Sequence, residues 1–145
     1  MTRLRRGDGV ASELMNSENL NEFAKRYAKA WRSQNPESVA AFFAERGSIS
    51  INNGPPAIGR VAIAKEAQAF MKTFPDMIVT FDKLEPRGDR TAFHWTLTGT
   101  NTGPGGTGKG LRISGYELWK IDNDGLIAES KGNFDAAEYE RQLKL

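Results

Sequence analysis

The tightest constraint on this chain is a change of period at Pro75. Before it, apolar residues recur at helical spacing. Leu20, Phe23, Tyr27, Ala30 and Trp31 fall three and four apart, as do Ile63, Ala67, Phe70, Met71 and Phe74 after Gly59. Beyond it, apolar and polar residues alternate, as in TAFHWTLTGT and YELWKI. Helices first and alternating runs afterwards describe an α+β domain, with helices packed on one face of a curved, mostly antiparallel sheet.

The punctuation divides these halves. Ser17 or Asn19 can cap a first helix. Asn35-Pro36-Glu37 opens a second, with Val39, Phe42 and Phe43 on its buried side and Gly47 at its end. Ser48 to Ile51 reads as a short strand, and Asn52 to Pro56 as a turn cluster. A third helix follows Gly59, and Pro75 stops it. Strands are predicted over Met77–Leu84, Thr91–Thr100, Leu111–Ile121 and Leu126–Phe134. Turns fall at Pro86–Asp89 and Asp122–Gly125, and Asp135 caps a terminal helix, AAEYERQL. Three N-terminal helices therefore precede the sheet. Residues 1–17 show no periodicity and read as a flexible tail; residues 18–145 read as a single domain.

Composition removes several classes of function. The 145 residues suit one domain able to bury its own core. There is no cysteine and a single histidine, so disulfides, thiolate metal sites and histidine-rich metal sites are not expected. A net charge of +2 is too small to argue for nucleic acid. No apolar run reaches membrane-spanning length, and the arginine-containing N-terminus lacks the apolar stretch of a secretory signal. The expectation is a cytoplasmic protein with no metal and no cofactor.

One motif tempts a different reading. Gly103 to Gly110, GPGGTGKG, falls one residue short of the phosphate-binding pattern G-x-x-x-x-G-K-[ST]. Such a loop needs a helix after the lysine, whose first amides hold the anion. Here an alternating run follows, and Gly110 replaces the hydroxyl that would bind Mg²⁺. The stretch is read as a glycine-rich loop between antiparallel strands, with Lys109 a solvated charge.

FPDMIVTFDKLEPRGDRTAFHWTLTGTNTG, followed by TGKGLRISGYELWKIDNDGLIAES, resembles the SnoaL-like, polyketide-cyclase-like branch of the nuclear-transport-factor-2-like superfamily. YAKAWRSQNPESVAAFFAERGSISI resembles ketosteroid isomerases of the same superfamily. The likeness implies a cone-shaped α+β barrel with a pocket open at one end, and a homodimer formed through the outer sheet face. In the isomerases a carboxylate base works beside an oxyanion hole made by a tyrosine and a protonated aspartic acid. That tyrosine falls on Tyr27 and the neutral acid on Glu117. The isomerase base falls on Ile51, and the cyclase acid/base aspartate on Gly132. The histidine-tryptophan pair that often precedes the latter is replaced by Ser130 and Lys131. The donors are kept and both base positions are empty.

Strand alternation tests these placements independently. Phe93, Trp95 and Leu97 share one face, while His94, Thr96 and Thr98 share the other. Glu117 lies with Trp119 and Ile121, which sets a carboxyl among apolar groups and raises its pKa. The ordinary alternative is an ion pair with Arg112 or Lys131. Tyr27 shares the helical face of Phe23 and Trp31, and the ordinary alternative there is a core tyrosine. His94 is the outsider for acid/base work: it is the only histidine, but it lies with the threonines. Ala128, Ser130, Gly132 and Phe134 share one face of the last strand, and the three small residues leave room there. The expected pocket is lined by Trp31, Phe74, Trp95, Leu97, Trp119, Ser130, Gly132 and Phe134, with Tyr27 and Glu117 as its polar pair. It would take a small hydrophobic molecule. If catalytic, the protein would be a cofactor-independent isomerase, cyclase or lyase on a carbonyl compound. The alternative is a non-catalytic ligand-binding or dimeric assembly module.

Overall fold

A computed structural model describes residues 17–144. The flexible tail expected over residues 1–17 lies outside the described residues, apart from Ser17, which already belongs to the first helix. Helix α1 spans Ser17–Arg32 and buries Phe23, Ala24, Tyr27, Ala28 and Trp31. Gln34, with a positive φ of 62°, turns the chain after it. Asn35 then caps α2, Pro36–Ala40, its side chain accepting from the Glu37 amide at 3.2 Å.

The second helix is shorter than predicted. It stops at Ala40, and the chain enters strand β1, Phe43–Ile51, running straight through Gly47. The reason is non-local. β1 pairs in parallel with the last strand, and the Ile127 amide donates to the Phe42 carbonyl at 2.9 Å. A side chain at Gly47 would stand 2.7 Å from the Ile127 carbonyl oxygen, so this glycine permits the pairing rather than ending a helix. Strand β2, Ala57–Ile58, is a two-residue edge that the turn-rich sequence conceals. Helix α3 spans Arg60–Thr73 and ends at the predicted place.

The second half follows its alternation. Strands β3 (Ile78–Arg87), β4 (Arg90–Thr100), β5 (Gly110–Ile121) and β6 (Ile127–Phe134) form an antiparallel meander, and α4 (Ala136–Leu143) closes the described chain. The six strands are ordered β2-β1-β6-β5-β4-β3. The curved sheet is unclosed, with β2 and β3 as its edges, and helices back it on one face as expected. Among the described residues four helices accompany it. The core lies between the sheet's concave face and α1 and α3, and centres on Tyr27, Phe43, Phe74, Phe93 and Trp119.

The loop between β4 and β5 contains GPGGTGKG. It folds back on itself, with the Asn101 amide donating to Lys109 O and the Gly108 amide to Asn101 O, both at 2.8 Å. Gly103 donates to Thr73 O at 3.3 Å, and a Cβ there would run into the Lys72 carbonyl at the end of α3. Gly105 and Gly108 take φ of 74° and 76°. A strand follows, so no helix N-terminus faces the loop.

Candidate functional site

The register of the four central strands gathers the inward side chains. Glu117 on β5 is flanked by Phe93 on β4 and Gly132 on β6, and Gly132 in turn by Ile51 on β1. Together with Trp31 from α1 and Phe70 from α3, these strands enclose a cavity of about 60 Å³. Its buried wall is Trp31, Ile49, Val79, Leu97, Glu117 and Gly132. Its half-buried rim is Ile51, Phe70, Trp95 and Phe134. Gly115 lets Trp95 and Phe134 lie across β5, since a Cβ there would stand 2.6 Å from the Trp95 ring and 3.0 Å from Phe134 Cβ.

Apart from the two indole nitrogens, Glu117 is the one polar side chain in this wall. Its Oε1 accepts three hydrogen bonds, from Ser130 Oγ at 2.7 Å, Tyr27 Oη at 2.8 Å and Trp119 Nε1 at 3.1 Å. The indole can only donate, so Oε1 is an acceptor in either charge state. Oε2 makes no hydrogen bond within the protein, so a proton or a ligand taken up there disturbs none of the three bonds to Oε1. Burial pushes the Glu117 carboxyl above its ordinary value, against the opposing pull of its Ser130, Trp119 and Tyr27 hydrogen bonds. All three partners are neutral; Arg112 and Lys131, the cations considered for it, are exposed.

Tyr27 occupies a different place from the one expected. It is fully buried behind Glu117, boxed in by Trp31, Phe42, Phe43, Phe93 and Trp119, and is absent from the cavity wall. Its hydroxyl is spent on Glu117. Burial, and next the Glu117 charge, raise its pKa well above the ordinary value. Trp31 Nε1 lies near enough to favour the phenolate slightly, yet it completes no hydrogen bond. Among the described residues it is the one buried side-chain polar atom without a partner.

Of the expected lining, Trp31, Trp95, Leu97, Gly132 and Phe134 meet in the cavity. Phe74, Trp119 and Ser130 lie outside its wall. Phe74 is drawn to Tyr139 and Gly99, while Trp119 and Ser130 are held behind by the Glu117 oxygen they bind. Ile49 and Val79 were not anticipated; their inward parity on β1 and β3 was the available signal. His94 sits on the outer face, its Nε2 at 2.9 Å from Glu85 Oε1. Glu85 is held below the usual carboxylate range by His94 and Arg87. No cluster of three or more acidic or histidine side chains among the described residues can hold a metal ion. No helix among them is long and apolar enough to cross a membrane.

The architecture is a helix-backed open sheet with one carboxyl in an apolar cavity. The sequence profile of the SnoaL-like polyketide cyclases matches residues 21–143, and the chain belongs to that family. No curated protein matches it. Among solved structures, a Catenulispora acidiphila protein with a ketosteroid isomerase-like fold, solved with trimethylamine, is 19% identical with a TM-score of 0.74, over 84% of this chain and 92% of that one. A Xanthomonas campestris protein described as a candidate polyketide cyclase is 22% identical, TM-score 0.66, over 86% and 96%. A phenazine biosynthesis-related protein of Pseudomonas aeruginosa is 17% identical, TM-score 0.67, over 88% and 85%. These likenesses establish the shared fold.

Proposed function

We propose that this protein binds a compact, largely apolar carbonyl compound in the cavity, with the ligand oxygen on the Glu117 carboxyl. The carrying observation is the asymmetric carboxyl: Oε1 is saturated by three donors while Oε2 is left for a ligand. A neutral carboxylic acid in an apolar site can donate a hydrogen bond to a carbonyl and stabilise charge developing there. Tyr27, Trp119 and Ser130 act as positioning residues that fix its orientation. The cavity is small, about 60 Å³. Ligands are therefore small, or enter by displacing the half-buried Phe70 and Phe134.

With Ile51 and Gly132 at the two family base positions, Glu117 is the sole titratable group in the wall. This favours binding with polarisation of the ligand over a complete proton-transfer cycle, and keeps the non-catalytic reading in play. Four rings, Trp31, Phe70, Trp95 and Phe134, also suit a small alkylammonium, and the Catenulispora protein carries trimethylamine. We further assign the outer sheet face, with exposed Ile78 and the Thr96 and Ser114 hydroxyls, to a second copy of the chain.

A thermal-shift series with ketones, short lactones and trimethylamine, repeated across pH, tests the ligand class. A carbonyl ligand loses affinity as pH rises and Glu117 ionises, and Glu117→Gln, which keeps a donor, removes that dependence. An ammonium ligand gains affinity over the same range. No stabilisation by any of them, or a pH profile unchanged in the variant, contradicts the assignment.

A further inference from the structure

We infer that Asn52 sets how large a ligand the cavity admits, by tethering the Phe134 rim to β1. This rests on the carbonyl-binding reading above and adds a positioning residue to it. Strand β1 ends at Ile51, which is paired with Gly132 of β6, and both residues line the cavity. The Asn52 amide makes the next step of that parallel ladder, donating to the Gly132 carbonyl at 2.8 Å. In a parallel ladder the residue that donates in this way also accepts, through its own carbonyl, from the amide two residues further along the partner strand. That amide belongs to Phe134. Here the chain turns away, with φ of 51° at Asn52 and 63° at Asn53, and the Gly54 amide closes the turn on Ile51 O at 2.9 Å. The Phe134 amide donates instead to Asn52 Oδ1 at 2.9 Å. The side-chain carboxamide stands in for the main-chain carbonyl.

Asparagine suits both tasks, since it tolerates the left-handed region and carries a short side-chain acceptor. The result is that β6 stays tied to β1 one step past the end of that strand, at the residue whose half-buried ring forms the cavity rim. Directly after Phe134 the chain leaves the sheet, and Asp135 caps α4. The Phe134 ring rests between Trp95 and Tyr139, with centroids 6.1 and 5.4 Å away. Those contacts hold the ring, whereas the Asn52 bond holds the backbone that carries it. Moving Phe134 aside, the route open to a larger ligand, therefore works against this bond.

The test titrates two ketones by NMR, cyclopentanone and the larger ring cycloheptanone, into the wild type, Asn52→Gly and Asn52→Asp. Glycine keeps the left-handed turn without the acceptor, and aspartate keeps the acceptor. Both ligands present the same carbonyl, so their affinity ratio cancels any change at Glu117. The expected result is a shift of that ratio towards cycloheptanone by about fivefold in Asn52→Gly, the size of one neutral hydrogen bond, with the wild-type ratio kept in Asn52→Asp. Hydrogen exchange at the Phe134 amide, measured without ligand, should be faster in Asn52→Gly alone. Equal losses for both ketones in Asn52→Gly mean that Asn52 only stabilises the turn, and overturn the inference. So does a ratio that Asn52→Gly leaves unmoved, or one that moves alike in both variants. If neither ketone binds the wild type, the carbonyl reading itself falls, whatever the exchange rates. Cyclopentanone binding with an unchanged Phe134 exchange rate in Asn52→Gly leaves that reading standing and removes the tether from it.

Discussion

At the scale of single residues, the proposed function turns on Glu117. Its raised pKa gives a definite sign to the pH dependence of stability. Between the unfolded glutamate value and the higher folded value, the folded state holds more protons. Stability from this group is therefore fully present at low pH and declines as pH rises through that window. Glu117→Gln mimics the protonated acid, so its denaturant midpoint should exceed that of the wild type increasingly above the ordinary glutamate range; parallel profiles would contradict this. Ser130→Ala removes one of three donors to Oε1 and should cost about 1 kcal/mol in denaturant unfolding. Gly132 and Ile51 both line the cavity, and a Cβ on Gly132 would lie 3.9 Å from Glu117 Cγ. Ile51→Asp therefore installs a base beside the acid. It should speed α-deuterium exchange of bound cyclopentanone by about 10²-fold, the lower range for a positioned general base. Exchange no faster than in the wild type would place the ligand away from Glu117.

At the scale of elements, alternation made β3 to β6 readable because each buries one face only. It also put Glu117 inward and His94 outward. Periodicity located α1 and α3 from their apolar stripes. It failed at Phe42 to Gly47, where a long-range parallel pairing with β6 outcompetes a locally plausible helix. It could not reveal that Tyr27 stands behind Glu117 rather than beside it, because helical phase fixes a face and not a depth. The glycine loop is a local matter. Gly103 is pressed on the end of α3, whereas nothing lies within 4 Å of a Cβ on Gly110. Gly103→Ala should cost about 1–3 kcal/mol by overpacking. Gly110→Ser should be nearly neutral; it completes the phosphate-loop pattern and should still bind no ATP by titration calorimetry. Measurable ATP binding would revive the phosphate reading.

At the scale of the whole molecule, the described helices back one face of an unclosed sheet, and among the described residues no helix covers the other. That face bears Thr96, bonded to Asp82 and Ser114, and the His94–Glu85 pair. Sedimentation should find a dimer that Thr96→Arg dissociates while ligand stabilisation persists; a monomeric wild type would remove the second copy from the account. The concave face holds the cavity, and every claim about it depends on the state of one carboxyl. The most direct measurement is the titration of the Glu117 side-chain carbon by NMR, with and without cyclopentanone. The account predicts a midpoint above the ordinary glutamate value that rises further when the ketone binds. An ordinary midpoint that the ketone leaves unmoved would contradict it.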